Sequence, residues 1–438
     1  MPKITILCGL SPLPVCQALK TLEATEVVII HGLGRSENVA KRVQNYCRDT
    51  LKIDESKVQL VEVDGLDPLK CLETMSDIRV RELLASSALV YGPGTSVMNA
   101  MIHEVWRSAV GNELNQGQSW YIHANPSRLL PSNKSEELKK VVPTGLDSEG
   151  LIKLDGDESY AVVLGENMDP FATSEEDDDS KKVNEDDDSN KVEEDDDPIK
   201  KAKKQIGQGV EEILYNGTGL AANLPTLGRE WLQNFDPKFQ NGFFMEAVIF
   251  QVLKKAFKPD QVFHSVKAFN QRGECVLEMD VLLRKGDNLL WISSHNNSTN
   301  NKWHTEKKEL IRKVPTTEFR KKFFEAKENA LRLSGKEARS ITIVNRPIQS
   351  IPKGEFRADP YEFEDRIENG KGLRRRVGVL GPENGGEREY TIADRHIIVD
   401  LAELLGENPV GTVTNTPELL EGCATPELSG WINNALNH

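Results

Sequence analysis

Residues 276–295, VLEMDVLLRKGDNLLWISSH, decide how the second half of the chain is read. Val276 to Leu283 alternates, so Glu278 and Asp280 share one face of a strand while Leu277, Met279 and Val281 take the other. Gly286-Asp287 is a two-residue loop suited to a hairpin, and pairing Lys285 with Asn288 sets the register of the returning strand, Leu289 to His295. That register predicts Asp280 opposite Ser293 and Glu278 opposite His295. Neighbouring like charges on one strand face do not help it fold. A metal ion or a basic partner is a physical reason to keep them, and a solvated face at a sheet edge is the alternative.

Upstream, Asn241 to Phe257 has the pattern of a largely buried helix whose wet side carries Gln251, Lys254 and Lys255. Phe243, Glu246, Phe250, Leu253 and Phe257 fall on one stripe, and Glu246 is its only charge. A carboxylate there is either salt-bridged at the core edge or bound to metal, because burying it alone is prohibitive. Val262 to Ala268 reads as a strand between helix and hairpin. Downstream, Lys302, Lys307, Lys308, Arg312, Lys313, Arg320, Lys321 and Lys322 form a basic tract interleaved with Trp303, Phe319, Phe323 and Phe324. Such a tract suits nucleic acid, and it also suits a helix with a solvated face. That helix ends over Leu331 to Gly335. Ile341–Val344 and His396–Val399 read as core strands, the second leading into a helix from Asp400 to Leu405. Arg374 to Arg376 is either a phosphate-contacting loop or solvated, and the tail from Pro409 is turn-rich.

The first half alternates short apolar runs with helical patterns. Ile4–Cys8, Val27–His31, Val58–Val63, Ala88–Tyr91 and Ser119–His123 are the strand candidates, with helical period over Glu37 to Leu51 and Val97 to Ala109. A doubly wound parallel sheet follows, and in such sheets ligands bind at the carboxyl ends of strands. Gly92-Pro93-Gly94-Thr95-Ser96-Val97-Met98 follows the fourth strand: glycines admit a ligand to the backbone, and Thr95 or Ser96 caps a helix. It is an anion cradle without the Gly-Lys-Ser/Thr of a Walker A loop. Gly9-Leu10-Ser11-Pro12 forms a second small-residue turn on the same edge, and Arg35 after the second strand is a candidate cationic contact. Leu151–Leu154 and Tyr160–Leu164 read as an antiparallel extension of this domain.

Between the halves, EDDDSKKVN, EDDDSNKVE and EDDDPIKKA repeat over residues 176–202. Self-repelling and with too few apolar residues to bury a core, the segment reads as a disordered linker. It lacks the glycine and spaced ligands of a calcium loop. Residues 175–197 hold fourteen acidic side chains against three lysines, which accounts for most of the net charge of -14. The overall sign therefore says little about partners. The six cysteines, Cys8, Cys16, Cys47, Cys71, Cys275 and Cys423, form no C-x-x-C pair, which argues against structural zinc and for a reducing compartment. With no apolar run long enough for a membrane span and no signal-peptide pattern, a cytoplasmic protein is expected.

Two resemblances sharpen these readings. Gly92, Gly94, Thr95 and Met98, in the loop after the fourth strand, resemble the CRISPR-associated Rossmann fold (CARF) over about the first 125 residues. CARF domains bind cyclic oligoadenylates across a homodimer; Ser96 stands where many members carry lysine. The succession NGFFMEAVIFQVL, LEMDVLL and LWISSH resembles the PD-(D/E)xK nuclease domains linked to CARF. This second resemblance implies Mg²⁺ or Mn²⁺ held by Glu246, Glu278 and Asp280. The family's final glutamate and lysine are replaced by Ser293 and His295, so catalytic assistance falls to His295 or to Lys308 of a migrated Glu306-Lys307-Lys308.

The expectation is therefore an α/β chain with a CARF-like domain over 1–168, an acidic linker over 169–204 and a PD-(D/E)xK domain over 205–438. It would be a homodimeric effector that senses a cyclic oligoadenylate through Ser11, Arg35, Gly92, Gly94, Thr95, Ser96 and Met98, with cyclic tetraadenylate the favoured ring, and cleaves DNA or RNA. The alternatives are a catalytically silent binding protein and a nucleotide-binding enzyme of another kind.

Overall fold

The computed structural model describes residues 2–110, 118–124, 127–132, 137–157, 159–164, 243–295, 302–304, 309–311, 316–344, 362–365, 373–376, 395–400, 404 and 426–437. It divides into two units: residues 1–158 with 331–337, and residues 159–330 with 338–437. The repeat, Lys308 and most of the expected helix after His396–Val399 lie outside the described residues.

In the first unit β1 (Lys3–Cys8), β2 (Glu26–Gly32), β3 (Val58–Val63), β4 (Ala88–Tyr91), β5 (Ser119–Ala124), β6 (Ser127–Pro131) and β7 (Lys139–Lys140) form one sheet in the order β3-β2-β1-β4-β5-β6-β7. The first five are mutually parallel, and β6 and β7 continue antiparallel. Alternation along β1 sends Ile4, Ile6 and Cys8 into one core and Leu7 into the other. The first core is closed by α1 (Leu13–Thr21) and α2 (Arg35–Asp49); the second by α3 (Pro68–Ser76), α4 (Ile78–Ala85) and α5 (Ser96–Val110). Helices on both faces explain why the central strands read as unbroken apolar runs. The strand order reverses between β1 and β4, which makes the loops after those strands the crevice of the sheet.

Residues 151–154, expected as a strand, lie in α6 (Ser148–Asp155). The Asp147 side chain accepts the Gly150 N–H at 2.7 Å and starts the helix, whose Leu151, Ile152 and Leu154 are buried. The other half of the expected extension, β8 (Ala161–Val163), pairs antiparallel in the second sheet, so the first unit ends near residue 158.

The second sheet runs β17-β14-β11-β10-β9-β8 and contains β9 (Gln261–Phe269), β10 (Cys275–Lys285), β11 (Asn288–His295), β14 (Arg339–Val344) and β17 (His396–Asp400). The hairpin forms in the expected register, from Lys285↔Asn288 to Val281↔Ile292. β11, β14 and β17 are parallel. Between β11 and β14 in the chain, β12 (Lys302–His304) and β13 (Glu309–Ile311) make a separate antiparallel pair. α7 (Phe243–Phe257) packs on β9 and β10, burying Phe250, Leu253 and Phe257 of the expected stripe. α8 (Thr316–Ser334) ends at Gly335, whose φ of +67° suits glycine.

Ser340 and His396 share a buried hydrogen bond of 2.8 Å between β14 and β17. Burial, with Lys327 and Arg395 nearby, pushes the imidazole down to about 3, so it is a neutral brace. Downstream, the loop expected at Arg374 to Arg376 and the turn-rich tail are corrected. Arg374 to Arg376 belongs to β16 (Leu373–Arg376), whose register against β15 (Glu362–Asp365) sets Arg376 opposite Glu362 and Arg374 opposite Glu364. The tail contains α9 (Pro426–Asn437), with Leu428, Trp431, Ile432, Ala435 and Leu436 buried at helical spacing and Asn288 Nδ2 donating to Leu436 O at 3.2 Å.

Candidate functional site

The first candidate region is the carboxyl edge of the first sheet. Gly92 and Gly94 hold φ of +122° and +106°, which side-chain-bearing residues rarely adopt. A Cβ on Gly9 would stand 2.6 Å from Gly94 N, so the loops after β1 and β4 touch backbone to backbone. Thr95 caps α5: its Oγ1 accepts the Met98 N–H at 3.1 Å and donates to Gly65 O at 2.6 Å, tying in the loop after β3. Met98 is buried, with its thioether packed against Gly32, Gly65 and Gly94.

Thr95 and Met98 thus build the cradle from within. Ser96 and Arg35 are exposed at the starts of α5 and α2, where a ligand can reach them. Ser11 lies in the turn between β1 and α1, its hydroxyl buried near the Asp155 carboxylate at the end of α6. Sequence reasoning missed Asn99, whose side chain accepts from Gly92 N at 2.7 Å and donates to Gly92 O at 3.2 Å and Thr95 O at 3.0 Å. Its position one turn into a capped helix is the signal that points back at the loop. It also missed the loop after β3, where Asp64 accepts the Leu66 and Asp67 N–H groups and is held below the usual carboxylate range by them.

The second region lies on the hairpin. Asp280 accepts from the Ser294 backbone N–H just past the last paired residues of the hairpin. Burial pushes its pKa up to about 7; the charges of Glu246 and Glu278 push the same way, against the Ser294 hydrogen bonds. Glu246 Oε2 lies 3.0 Å from Nε2 of buried His264, whose ring meets Phe250 edge-on. Glu278 accepts from Ser265 Oγ at 2.9 Å and lies 3.6 Å from Lys267 Nζ. The last pair is half exposed and contributes about 0–1 kcal/mol. His295 is the last residue of β11, paired with Val344 of β14.

The three expected carboxylates therefore occupy one neighbourhood, each with its own protein partner. Among the described residues, no group of three or more His, Cys, Asp or Glu side chains is gathered closely enough to hold an ion as it stands. The chemistry of Glu246 and Asp280 still fits a hard divalent cation: a half-buried carboxylate raised by desolvation and by its neighbour's charge is what such an ion neutralises. Sequence reasoning missed His264, and its only signal was a lone imidazole in an apolar strand. It missed Ser265 altogether. Ser265 has φ of +58° and is the one residue inside a strand, among the described residues, that is left-handed without being glycine.

The molecule is thus an α/β protein with a largely parallel sheet cradling one crevice and a second, mixed sheet carrying a carboxylate cluster. No protein-family model matches the chain, and no curated protein matches it by sequence. Its fold is similar to that of protein VC1899 from Vibrio cholerae, with a TM-score of 0.50 and 13% identity over 79% of this chain and 89% of that one. Can2 from Sulfobacillus thermosulfidooxidans, solved with cyclic tetra-adenylate, aligns at 0.48 with 11% identity over 79% and 90% of the two chains. A type III CRISPR defence DNA nuclease activated by cyclic oligoadenylate aligns at 0.40 with 17% identity over 78% of this chain and 45% of that one. At these identities the likeness concerns the fold. Among the described residues, no helix is long and apolar enough to cross a membrane.

Proposed function

We propose that the chain is a ligand-controlled nuclease of the CARF type, acting as a homodimer in the cytoplasm. The first unit binds a cyclic oligoadenylate, with cyclic tetraadenylate the favoured ring, and its occupancy sets the activity of the second unit on DNA or RNA phosphodiesters. The observation that carries the reading is Asp280: a half-buried carboxylate on an E-x-D strand, with helix-borne Glu246 acting on it, in the order of elements that the sequence resemblance implies.

In the first unit, Gly92 and Gly94 bring backbone groups to the ligand, Ser96 and Arg35 meet its phosphates, and Thr95 and Met98 keep the cradle open. In the second unit, Glu246 and Asp280 would hold Mg²⁺ or Mn²⁺, with Glu278 as third carboxylate. When bound, the metal supplies Lewis-acid polarisation of the phosphoryl group and a water of lowered pKa. His295 takes the proton of the attacking water or, with Lys308, orients it.

A second reading, a silent sensor that binds without cutting, is favoured by one observation: serine and histidine stand at 293 and 295, and each carboxylate is already partnered by protein. The full-length protein incubated with labelled DNA and RNA, with and without Mn²⁺ and cyclic tetraadenylate, separates the two. Ligand-stimulated cutting that disappears in Asp280→Ala supports the nuclease. Tight ligand binding without cutting supports the sensor, and absence of both removes the proposal.

A further inference from the structure

Resting on the ligand-sensing reading above, we infer that Leu10, Leu33 and Leu66 form the surface on which the bases of the cyclic oligoadenylate lie, beside the groups that take its phosphates. Each leucine follows a glycine at or just past the end of a strand: Gly9-Leu10 after β1, Gly32-Leu33 after β2 and Gly65-Leu66 after β3. The glycines face inward. A Cβ on Gly9 would stand 2.6 Å from Gly94 N, one on Gly32 would stand 3.8 Å from Met98 Sδ, and one on Gly65 would stand 3.0 Å from the same sulfur. All three turns therefore close on the segment from Gly94 to Met98, and the leucines that follow are left in solvent, 44%, 61% and 84% exposed.

The sheet sets these turns side by side. β3, β2 and β1 are consecutive neighbours, and the register aligns Cys8 with His31 and Gly32 with Val63. The three loops thus leave one edge at the strand spacing of about 4.8 Å. A single exposed leucine is ordinary. Three of them, at equivalent places in loops that meet, make an apolar patch of the kind that marks a binding surface.

The occupant follows from what adjoins the patch. Arg35 stands exposed at the start of α2, two residues after Leu33, and Ser96 stands exposed at the start of α5. Both positions suit an anion. Whatever covers the leucines must then be apolar over them and anionic beside them, which describes a nucleotide, with base and phosphate on one ribose. A second copy of the chain would bring another Arg35 where the cradle wants an anion. Leucines hold a base by the area they cover, so the patch contributes affinity and leaves the choice of base to polar groups.

The test is cyclic tetraadenylate affinity of the full-length protein by titration calorimetry at several salt concentrations, with thermal unfolding and sedimentation alongside. Leu33 and Leu66 are exposed, so Leu33→Ser and Leu66→Ser leave the melting temperature nearly unchanged. Each weakens binding on the order of 10-fold, the worth of covering much of a leucine side chain. The slope of log affinity against log salt keeps its wild-type value in both, because no phosphate contact is lost, whereas Arg35→Gln flattens it. Leu33→Met, which keeps the apolar surface, binds as the wild type does. Ile78→Ser removes a similarly exposed apolar side chain at the start of α4, beyond the far end of α3, and changes nothing. Wild-type affinity in both Leu33→Ser and Leu66→Ser overturns this inference and leaves the sensing reading standing. Lost affinity that comes with dissociation of a dimer into monomers overturns it too, and assigns the patch to a second copy. No binding by the wild type overturns both the inference and the reading.

Discussion

The two units reach an unusual backbone by opposite means. At the crevice of the first, the left-handed positions are Gly34, Gly92 and Gly94, and the loops after β1 and β4 close on each other because Gly9 has no side chain. On the second sheet, the left-handed residue is a serine inside a strand, held there at a cost of about 1–3 kcal/mol. The first edge is made by deleting side chains so that a ligand meets N–H and C=O groups. The second cluster is made by retaining side chains so that each carboxylate meets a donor: Glu246 at His264, Glu278 at Ser265 and Asp280 at the Ser294 N–H. The first should therefore break when atoms are added, and the second when charges or donors are removed.

Gly92→Val is the most direct way to break the first half of that contrast. A Cβ at Gly92 meets Ile122 O at 2.9 Å, and a β-branched residue cannot hold φ of +122°. A loss of at least about 3 kcal/mol is expected, read as faster amide exchange in β4 and β5 and as lost ligand binding. Gly273→Ala is the control: φ is +77° but the Cβ points into open space, so the cost stays near about 1 kcal/mol.

Asp155→Asn sharpens the contrast between the aspartates at about 7, one in each unit. Asp155 is raised by burial and then by Glu337, while Arg42, Ser11 and the Leu13 N–H pull the other way. Because the folded pKa lies above the ordinary value of 3.8, the unfolded chain gives up its proton first as pH rises. Stability from this group is therefore complete below about pH 4 and lost as pH climbs through 7. Asn carries no proton to lose, so the variant should match the wild type at pH 4 and exceed it at pH 8 by up to about 4 kcal/mol. Amide exchange in β1 and β2 at the two pH values reads the first unit by itself, and an equal difference at both would refute the assignment.

Legibility in the sequence followed the same division. The five parallel strands of the first unit were readable because each is a short apolar run bounded by turn residues, the central β1 and β2 buried on both faces, and the hairpin register followed from Gly286-Asp287 alone. What failed was short or tertiary in origin. Residues 151–154 looked like a strand because four residues do not reveal a period, and only the Asp147 cap separates them from one. β8 was assigned to the wrong sheet because nothing local to Ala161–Val163 names its partner, β9. α9 was hidden in a tail whose prolines and glycine suggested turns, although Pro426 stands at a first helical position, where it does no harm. At the carboxylate cluster, alternation placed Glu278 and Asp280 on one face, but no pattern announces that Ser265 will be left-handed.

Asn99→Ala is the smallest of these effects and separates two accounts of the cradle. If the loop after β4 were fixed by its glycines alone, removing a side chain from α5 would leave it in place. The Asn99 carboxamide instead satisfies both the N–H and the C=O of Gly92 and reaches Thr95 O as well, so it does for the loop what a neighbouring strand does for a strand. Its loss leaves those backbone groups to water, at about 1–3 kcal/mol. Asn99→Asp keeps the acceptor for the Gly92 N–H but sets a carboxylate against two carbonyl oxygens, so it should rank with or below Asn99→Ala in stability. Both should weaken cyclic tetraadenylate binding, measured by calorimetry, by more than they lower the melting temperature of the unit. Equal affinity in all three proteins would mean that glycine conformation alone carries the cradle.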